Sequence, residues 1–235
     1  MRYLESDSGA QTLTFPETLP GIEPRARAVP AAWAAVTFAE RIAAAAVLVV
    51  LSPVLTVTGI VIWFLSRRSP LVAHARVGQG GAPIWVLKFR SMWPPSAPRN
   101  GRPAGLVERL KTEPVPELKN PKDPRITSRF AAFCRKFSID ELPQLWHVAE
   151  GRMSLVGPRP MTADELAEHY GPDAGKVLAV KPGLTGLWQV RGRSSLTHRR
   201  RRRLDLFLVR RMSVGLYVTI LFATIPRVLA GKDAW

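Results

Sequence analysis

The chain has 235 residues, 46% of them hydrophobic, with 34 Lys+Arg against 18 Asp+Glu and a formal net charge of +16. That length allows one ordinary domain, or a smaller one with a tail and a membrane segment, and the apolar content argues against wholesale disorder. A single cysteine, Cys134, excludes an internal disulfide framework and any cysteine-rich zinc site; the positive excess calls for a polyanionic partner, whether nucleic acid, an anionic membrane surface or a phosphorylated substrate.

Residues 1–30 are polar, carry Pro16, Pro20, Pro24 and Pro30, and read as a disordered tail without the basic start and apolar core of a signal peptide. From Ile42 to Leu65 the composition changes to twenty-four uncharged residues. A helix needs about 20 to cross the hydrocarbon layer. Ser52-Pro53 lies near the middle of that run, where proline kinks or breaks a helix. Arg25, Arg27 and Arg41 precede the run and Arg67 and Arg68 follow it, so both flanks are basic. A broken helix that enters and leaves on the cytoplasmic face satisfies both observations, and so does a kinked span.

Gly78, Gly80 and Gly81 then separate Ala75–Val77 from Ile84–Phe89, which predicts a β-hairpin. Walker spacing and a following helix are both missing, so this is no phosphate loop. The stretch from Trp93 to Pro124, rich in proline and charge, reads as a long surface loop. A helix is predicted from about Ser128 to Val148, interrupted near Ser138. There "SIDELPQLW" (Ser138–Trp146) sets two carboxylates before an apolar run. Ser138-x-x-Glu141 fits a capping box, and acidic residues suit the positive end of a helix. Pro143, however, falls where a missing N–H begins to matter. Thr162-x-x-Glu165 is a second capping box and predicts a helix to about Val180. Further on come five consecutive arginines, Arg199–Arg203. No nucleic-acid-binding signature accompanies them, and such runs are also usual beside anionic leaflets. Met212–Leu229, with Pro226 inside it, predicts an interfacial helix or, alternatively, a core helix.

Four segments occur in order: "KFRSM" (Lys88–Met92), "SIDELPQLWHV" (Ser138–Val148), "GRMSLVGPRP" (Gly151–Pro160) and "KPGLTGLWQVRGR" (Lys181–Arg193). Together they resemble the bacterial sugar transferases known as monotopic phosphoglycosyl transferases. The resemblance runs from about Arg41 to Trp235 and takes in the Ser52-Pro53 membrane helix and "RLDLFLVRRMS" (Arg203–Ser213). The N-terminal tail, the Trp93–Lys122 loop and the five-arginine run fall outside it. Similar proteins tend to carry an aspartate in a Leu-Asp-Leu stretch of the terminal helix, where this chain has Leu216-Tyr217-Val218. That departure puts the role of the aspartate in question here.

The resemblance implies an α+β fold, mostly helical and membrane-associated, with a small β-hairpin, a re-entrant membrane helix over 31–66, a catalytic domain over 67–235 and C-terminal interfacial helices. It implies transfer of a sugar 1-phosphate from a UDP-sugar to polyprenol (undecaprenyl) phosphate at the cytoplasmic face of the bacterial inner membrane. Mg²⁺ and a covalent phosphosugar on Asp140 are part of that expectation. Anionic membrane lipids are expected partners; specific nucleic acid is not.

The chemistry fits the residue types. A carboxylate nucleophile splits the transfer into two displacements, and phosphoryl transfer rests on positioning and on neutralising oxygen charge. Asp140 is the candidate nucleophile. Glu141, with Asp140, is the candidate metal site, since Mg²⁺ binds through one or two carboxylates plus substrate phosphates. Arg159, between Pro158 and Pro160, is the candidate clamp on the diphosphate, because a guanidinium matches phosphate bidentately. Lys88 and Arg90 close a strand as phosphate or structural contacts, Lys88 being favoured by the resemblance. Arg125, Arg193 and Asp205 match charged motif positions and are substrate-binding or scaffold residues. Gln189, in the fourth segment, is a further substrate-binding candidate. Gly183, Gly186 and Gly192 either admit the nucleotide close to the backbone or simply make turns. A pathway relative that has lost or changed activity, a membrane-anchored nucleic-acid binder and a scaffold for other glycan enzymes are the competing readings.

Overall fold

The computed structural model describes residues 31–93, 105–110, 126, 128–192 and 195–231. Helix α1 (Ala31–Ser66) continues through Pro53. Proline has no N–H for the carbonyl of Val49, four residues back. The Ser52 hydroxyl donates to that oxygen at 2.8 Å, so the expected interruption is a locally repaired proline within a continuous helix. Glu40, Ala44, Thr58, Ile62 and Ser66 are buried along α1, and Leu48, Leu51 and Leu55 are half-buried between them. That spacing makes one stripe. The rest of the surface is apolar and open, with Val49 and Val50 at 73% and 75% exposure.

Strands β1 (Leu71–Val77) and β2 (Pro83–Phe89) form the expected hairpin, with Leu71 opposite Phe89 and Val77 opposite Pro83. A third strand, β3 (Val107–Leu110), lies parallel to β1. It falls within the stretch read as loop, where four residues among prolines carry too little alternation to register.

Helix α2 (Arg129–Lys136) is capped by Ser128, whose hydroxyl accepts from the backbone of Phe130 and Ala131. It stops at Phe137 because Ser138 turns left-handed, at φ 57° and ψ 23°. The capping box read at Ser138 and Glu141 is therefore not formed: Ser138 makes no side-chain cap, and a short 3-10 segment over Ile139–Gln144 carries both carboxylates into α3 (Leu145–Ala149). A non-glycine residue in this region costs on the order of 1–2 kcal/mol.

Strands β4 (Ser154–Val156) and β5 (Gly183–Thr185) pair in parallel. The crossover holds α4 (Ala163–His169), a 3-10 turn at Gly171–Asp173 and α5 (Ala174–Leu178). The Thr162–Glu165 capping box forms in both directions, at 3.0 and 2.8 Å. The helix it opens ends at His169, short of Val180, because Gly171-Pro172 breaks it. Helices α6 (Leu187–Arg191), α7 (His198–Arg211) and α8 (Val214–Ala230) close the described chain.

The core is three linked clusters. Val77, Met161, Leu166 and Val177 hold the crossover to the hairpin. Ala44 joins Val86, Leu145, Val148 and Met153, so α1 packs into the domain. Val156, Leu187, Leu208, Tyr217 and Ile220 seat α7 and α8. The fold is mostly helical with small sheets, as expected.

Candidate active site

The left-handed turn at Ser138 aims Asp140 and Glu141 at the face of the hairpin that carries Lys88. Lys88 Nζ donates to Glu141 Oε1 at 2.7 Å, and Arg159 approaches the same oxygen at 3.5 Å. Asp140 is 7% exposed; its Oδ2 accepts from the Ser91 hydroxyl at 3.4 Å, which in turn accepts from Arg135 at 3.3 Å. Hairpin, 3-10 segment, α2 and the loop after β4 thus meet at one pair of acids.

Arg159 owes its place to two glycines. A Cβ on Gly183 would lie 2.0 Å from the backbone nitrogen of Gly157, and one on Gly157 2.6 Å from Lys181 O. That close approach lets Gly183 N–H reach Pro158 O at 2.7 Å and Gly157 N–H reach Thr185 O at 2.9 Å. A Cβ on Gly186 would likewise meet Gly157 O at 2.5 Å. At Gly183 and Gly186 the structure shows a third role beside the two read from sequence, backbone packing that fixes the Pro158-Arg159-Pro160 turn.

A cavity of about 290 Å³ opens on the carboxylates. Arg76, Lys88, Arg135, Arg159, Arg201 and Arg227 line it together with Gln189, and Leu142, Leu155, Leu184, Leu221 and Val228 give it an apolar side. The cationic field is visible in its neighbours. Burial, reinforced by Arg76 and Lys88, pushes the His74 imidazole down to about 4. Burial also lowers the Arg76 guanidinium to about 10, against the pull of Glu165. So dense a cluster of cations around two acids suits a ligand with several negative charges.

Of the residues picked from sequence, Lys88, Asp140, Glu141, Arg159 and Gln189 share this cavity. Arg90 does not line it: its guanidinium is buried, donates to Ser69 O at 2.8 Å and pairs with Glu108, tying β2 to β3. Asp205 is fully buried behind the cavity wall, where it accepts from the Tyr170 hydroxyl at 2.6 Å. Burial raises its carboxyl to about 7, opposed by that hydrogen bond and by Arg201. Asp205 therefore reaches the cavity through Tyr170 and Arg201, which both line it. Arg125 and Arg193 lie outside the described residues.

Arg76, Arg135, Arg201, Arg227 and Tyr170 are lining residues that motif reading passed over. Arg76 had a signal: in a hairpin of period two it falls on the same face as Lys88. The five-arginine run is divided in the fold. Arg201 lies over the Trp188 ring at 4.9 Å and Arg202 pairs with Asp173, while Arg199, Arg200 and Arg203 face outward. Tyr217 lies away from the acids: its hydroxyl donates to Glu40 Oε2 at 2.6 Å, joining α8 to α1. Cys134 is buried and its thiol is raised by burial to about 11, as a space-filling residue would be.

These features belong to a known class. The chain is a member of the bacterial sugar transferase family, whose model matches residues 32–231. It is 41% identical over 204 residues to the UDP-galactose-lipid carrier transferase of Erwinia amylovora, covering 83% of this chain and 40% of that one. The undecaprenyl-phosphate galactose phosphotransferase of Salmonella typhimurium is 38% identical over 198 residues, 80% of this chain and 39% of its own length. The chain spans about two-fifths of both relatives. The exopolysaccharide production protein ExoY of Rhizobium meliloti is 35% identical over 202 residues and is matched over 85% of its length.

Proposed function

We propose that the protein transfers a sugar 1-phosphate from a UDP-sugar to polyprenol (undecaprenyl) phosphate at the cytoplasmic face of the inner membrane, through a phosphosugar held on Asp140. The observation that carries this reading is an acid pair in a cavity with six cationic side chains and an apolar side supplied partly by α8. The names of the Erwinia and Salmonella relatives supply the substrate classes.

In the first step an Asp140 carboxylate oxygen attacks the phosphorus that bears the sugar. The bridging P–O bond of the diphosphate breaks, and its electron pair leaves with UMP. In the second step an oxygen of the lipid phosphate attacks the same phosphorus, and the aspartyl O–P bond breaks to restore the carboxylate. Lys88 and Arg159 spread positive charge beside Glu141, where the diphosphate oxygens must lie; such preorganised charge is the main lever in phosphoryl transfer. Arg135, through Ser91, fixes the Asp140 side chain.

Mg²⁺ fits the donor set in its usual mode for such sites. Two hard carboxylates face one cavity, and among the described residues no third His, Cys, Asp or Glu completes an all-protein cage. Glu141, with Asp140, would hold the ion, which when bound neutralises charge on the diphosphate oxygens.

The same domain contacts both halves of α1, and this favours a helix held at one face of the membrane over a span, although α1 lacks the break at Pro53 that a re-entrant path needs. Ala44 and Leu48 pack with Val148 and Met153, while Gly59 approaches Phe89 and Pro70. Between them Leu51 and Leu55 are half-buried on the same stripe, and residues 49–57 make only about 14 Å of helix at 1.5 Å per residue. A hydrocarbon layer is about 30 Å thick.

Purified protein should release UMP from one or more of a panel of UDP-sugars when given Mg²⁺ and undecaprenyl phosphate, and produce the matching lipid-linked sugar. No release with any donor would defeat the proposal.

A further inference from the structure

The reaction proposed above needs a lipid phosphate to arrive at Asp140 from the bilayer side, and α8 borders that approach. Its outer surface is apolar and exposed: Phe222 at 66%, Ile225 at 51% and Leu229 at 71%. Leu221, Thr224 and Val228 turn inward to the cavity. Arg227 also lines the cavity, and at 3.6 residues per turn it lies about half a turn from the Phe222–Ile225–Leu229 face.

Arg227 is the one charged residue of α8; it is exposed, and its place in the last turn also suits the negative end of the helix. What singles it out is that its side chain lines the cavity and not the apolar outer face. Other cavity cations have local work: Lys88 and Arg159 face Glu141, Arg135 donates to Ser91 and Arg201 covers Trp188. Among the described residues, Arg227 has no carboxylate or hydrogen-bond partner. Its backbone is nevertheless anchored. One turn earlier, Thr224 and Thr185 share a hydroxyl hydrogen bond at 2.9 Å, pinning α8 to β5. One turn later, a Cβ on Gly231 would lie 2.8 Å from Lys136, so the end of α8 abuts the end of α2, the helix that leads to Asp140.

We infer that Arg227 is the acceptor-side phosphate contact: it holds the monophosphate head of the polyprenol phosphate at the cavity mouth, with Leu221 and Val228 against the first carbons of its chain. A guanidinium forks onto phosphate oxygens bidentately, and an apolar neighbour selects a phosphate that carries a hydrocarbon tail over a free one. The inference rests on the proposed reaction for its substrate, but binding can test it without turnover.

Protein in neutral-lipid nanodiscs is titrated with farnesyl phosphate, farnesol and inorganic phosphate, and separately in nanodiscs that contain phosphatidylglycerol. Wild type should bind farnesyl phosphate at least tenfold more tightly than either farnesol or inorganic phosphate. Arg227→Ala should lose at least tenfold for farnesyl phosphate alone, with partial recovery in Arg227→Lys. In turnover assays the same change should raise KM for polyprenol phosphate at least tenfold. Its UMP burst with donor alone should fall less than its acceptor-dependent turnover. Unchanged farnesyl phosphate affinity in Arg227→Ala would overturn the assignment. So would full competition by phosphatidylglycerol, which would make Arg227 a general lipid contact. A wild-type protein that binds farnesyl phosphate through Arg227 yet releases no UMP would refute the reaction while keeping the site.

Discussion

Asp140, with its half-buried neighbour Glu141, can be set beside two other carboxylates as hidden as Asp140 itself, Glu40 and Asp205. Exposure does not separate them: Asp140 is at 7%, Glu40 at 4% and Asp205 at 0%. Company and space do. Glu40 Oε2 accepts from Tyr217 at 2.6 Å, Ser154 at 2.8 Å and the Leu155 N–H at 3.1 Å, all neutral donors. Asp205 takes its hydrogen bond from Tyr170. Each is a closed joint between elements, α1 to α8 and β4 in one case, α7 to the end of α4 in the other. Asp140 and Glu141 are held by Ser91, Lys88 and Arg159 and open on a cavity. A hidden carboxylate is thus a poor sign of chemistry on its own; cations and room for a ligand are the discriminating features.

Four substitutions test that contrast, beginning with the greatest expected loss. Asp140→Asn should lower turnover by at least about 10⁴-fold, the scale on which a nucleophile or its partner counts. Thermal unfolding should barely move. Residual activity near one-tenth would place Asp140 among the merely positioned groups. Glu141→Gln should slow turnover by about 10²–10³-fold, as loss of one preorganised electrostatic contact does. Added Mg²⁺ should restore part of that loss and none of the loss in Asp140→Asn.

The joints should respond in the opposite manner. Tyr217→Phe keeps the ring edge-on to Trp33 at 5.8 Å but takes one donor from Glu40. It should destabilise the protein by about 1–3 kcal/mol in detergent melts, the usual penalty for an unmatched buried polar group, with the donor-alone UMP burst retained. A lost burst with normal stability would move this joint into the active machinery. Asp205→Asn should show the smallest effect, and one tied to pH. A carboxyl raised to about 7 in the folded state, against 3.8 ordinarily, contributes stability below pH 4 that is lost as pH rises through 7. The amide lacks that titration, so its stability relative to wild type should improve from pH 5 to pH 8. A parallel pH dependence in the two proteins would show that Asp205 titrates normally.

What the sequence disclosed follows the same division. The acid pair, Lys88, Arg159 and Gln189 were legible because they sit in ordered motif segments, and the structure brings all five to one cavity. Arg90 sits two residues from Lys88 in the same segment, yet a sheet edge claims it for Glu108 and Ser69, which only three-dimensional pairing reveals. Glu40 belongs to no motif and was missed, since its partners are more than a hundred positions away. The capping box at Thr162 was read correctly because its contacts are local. The similar pattern at Ser138 failed because Ser138 turns left-handed, and Lys88, fifty-three residues earlier in sequence, holds Glu141 instead. Arg227 could not be distinguished from any other charge near a helix end until α8 was seen to border the cavity.

The most direct measurement is intact mass after rapid quench of the protein with Mg²⁺ and a UDP-sugar that supports turnover, with no polyprenol phosphate present. Stoichiometric UMP is expected, with a mass increase of one sugar phosphate mapped to Asp140 and discharged when polyprenol phosphate is added. UMP that appears only after the acceptor is supplied, with unmodified protein at every quench time, would contradict that expectation.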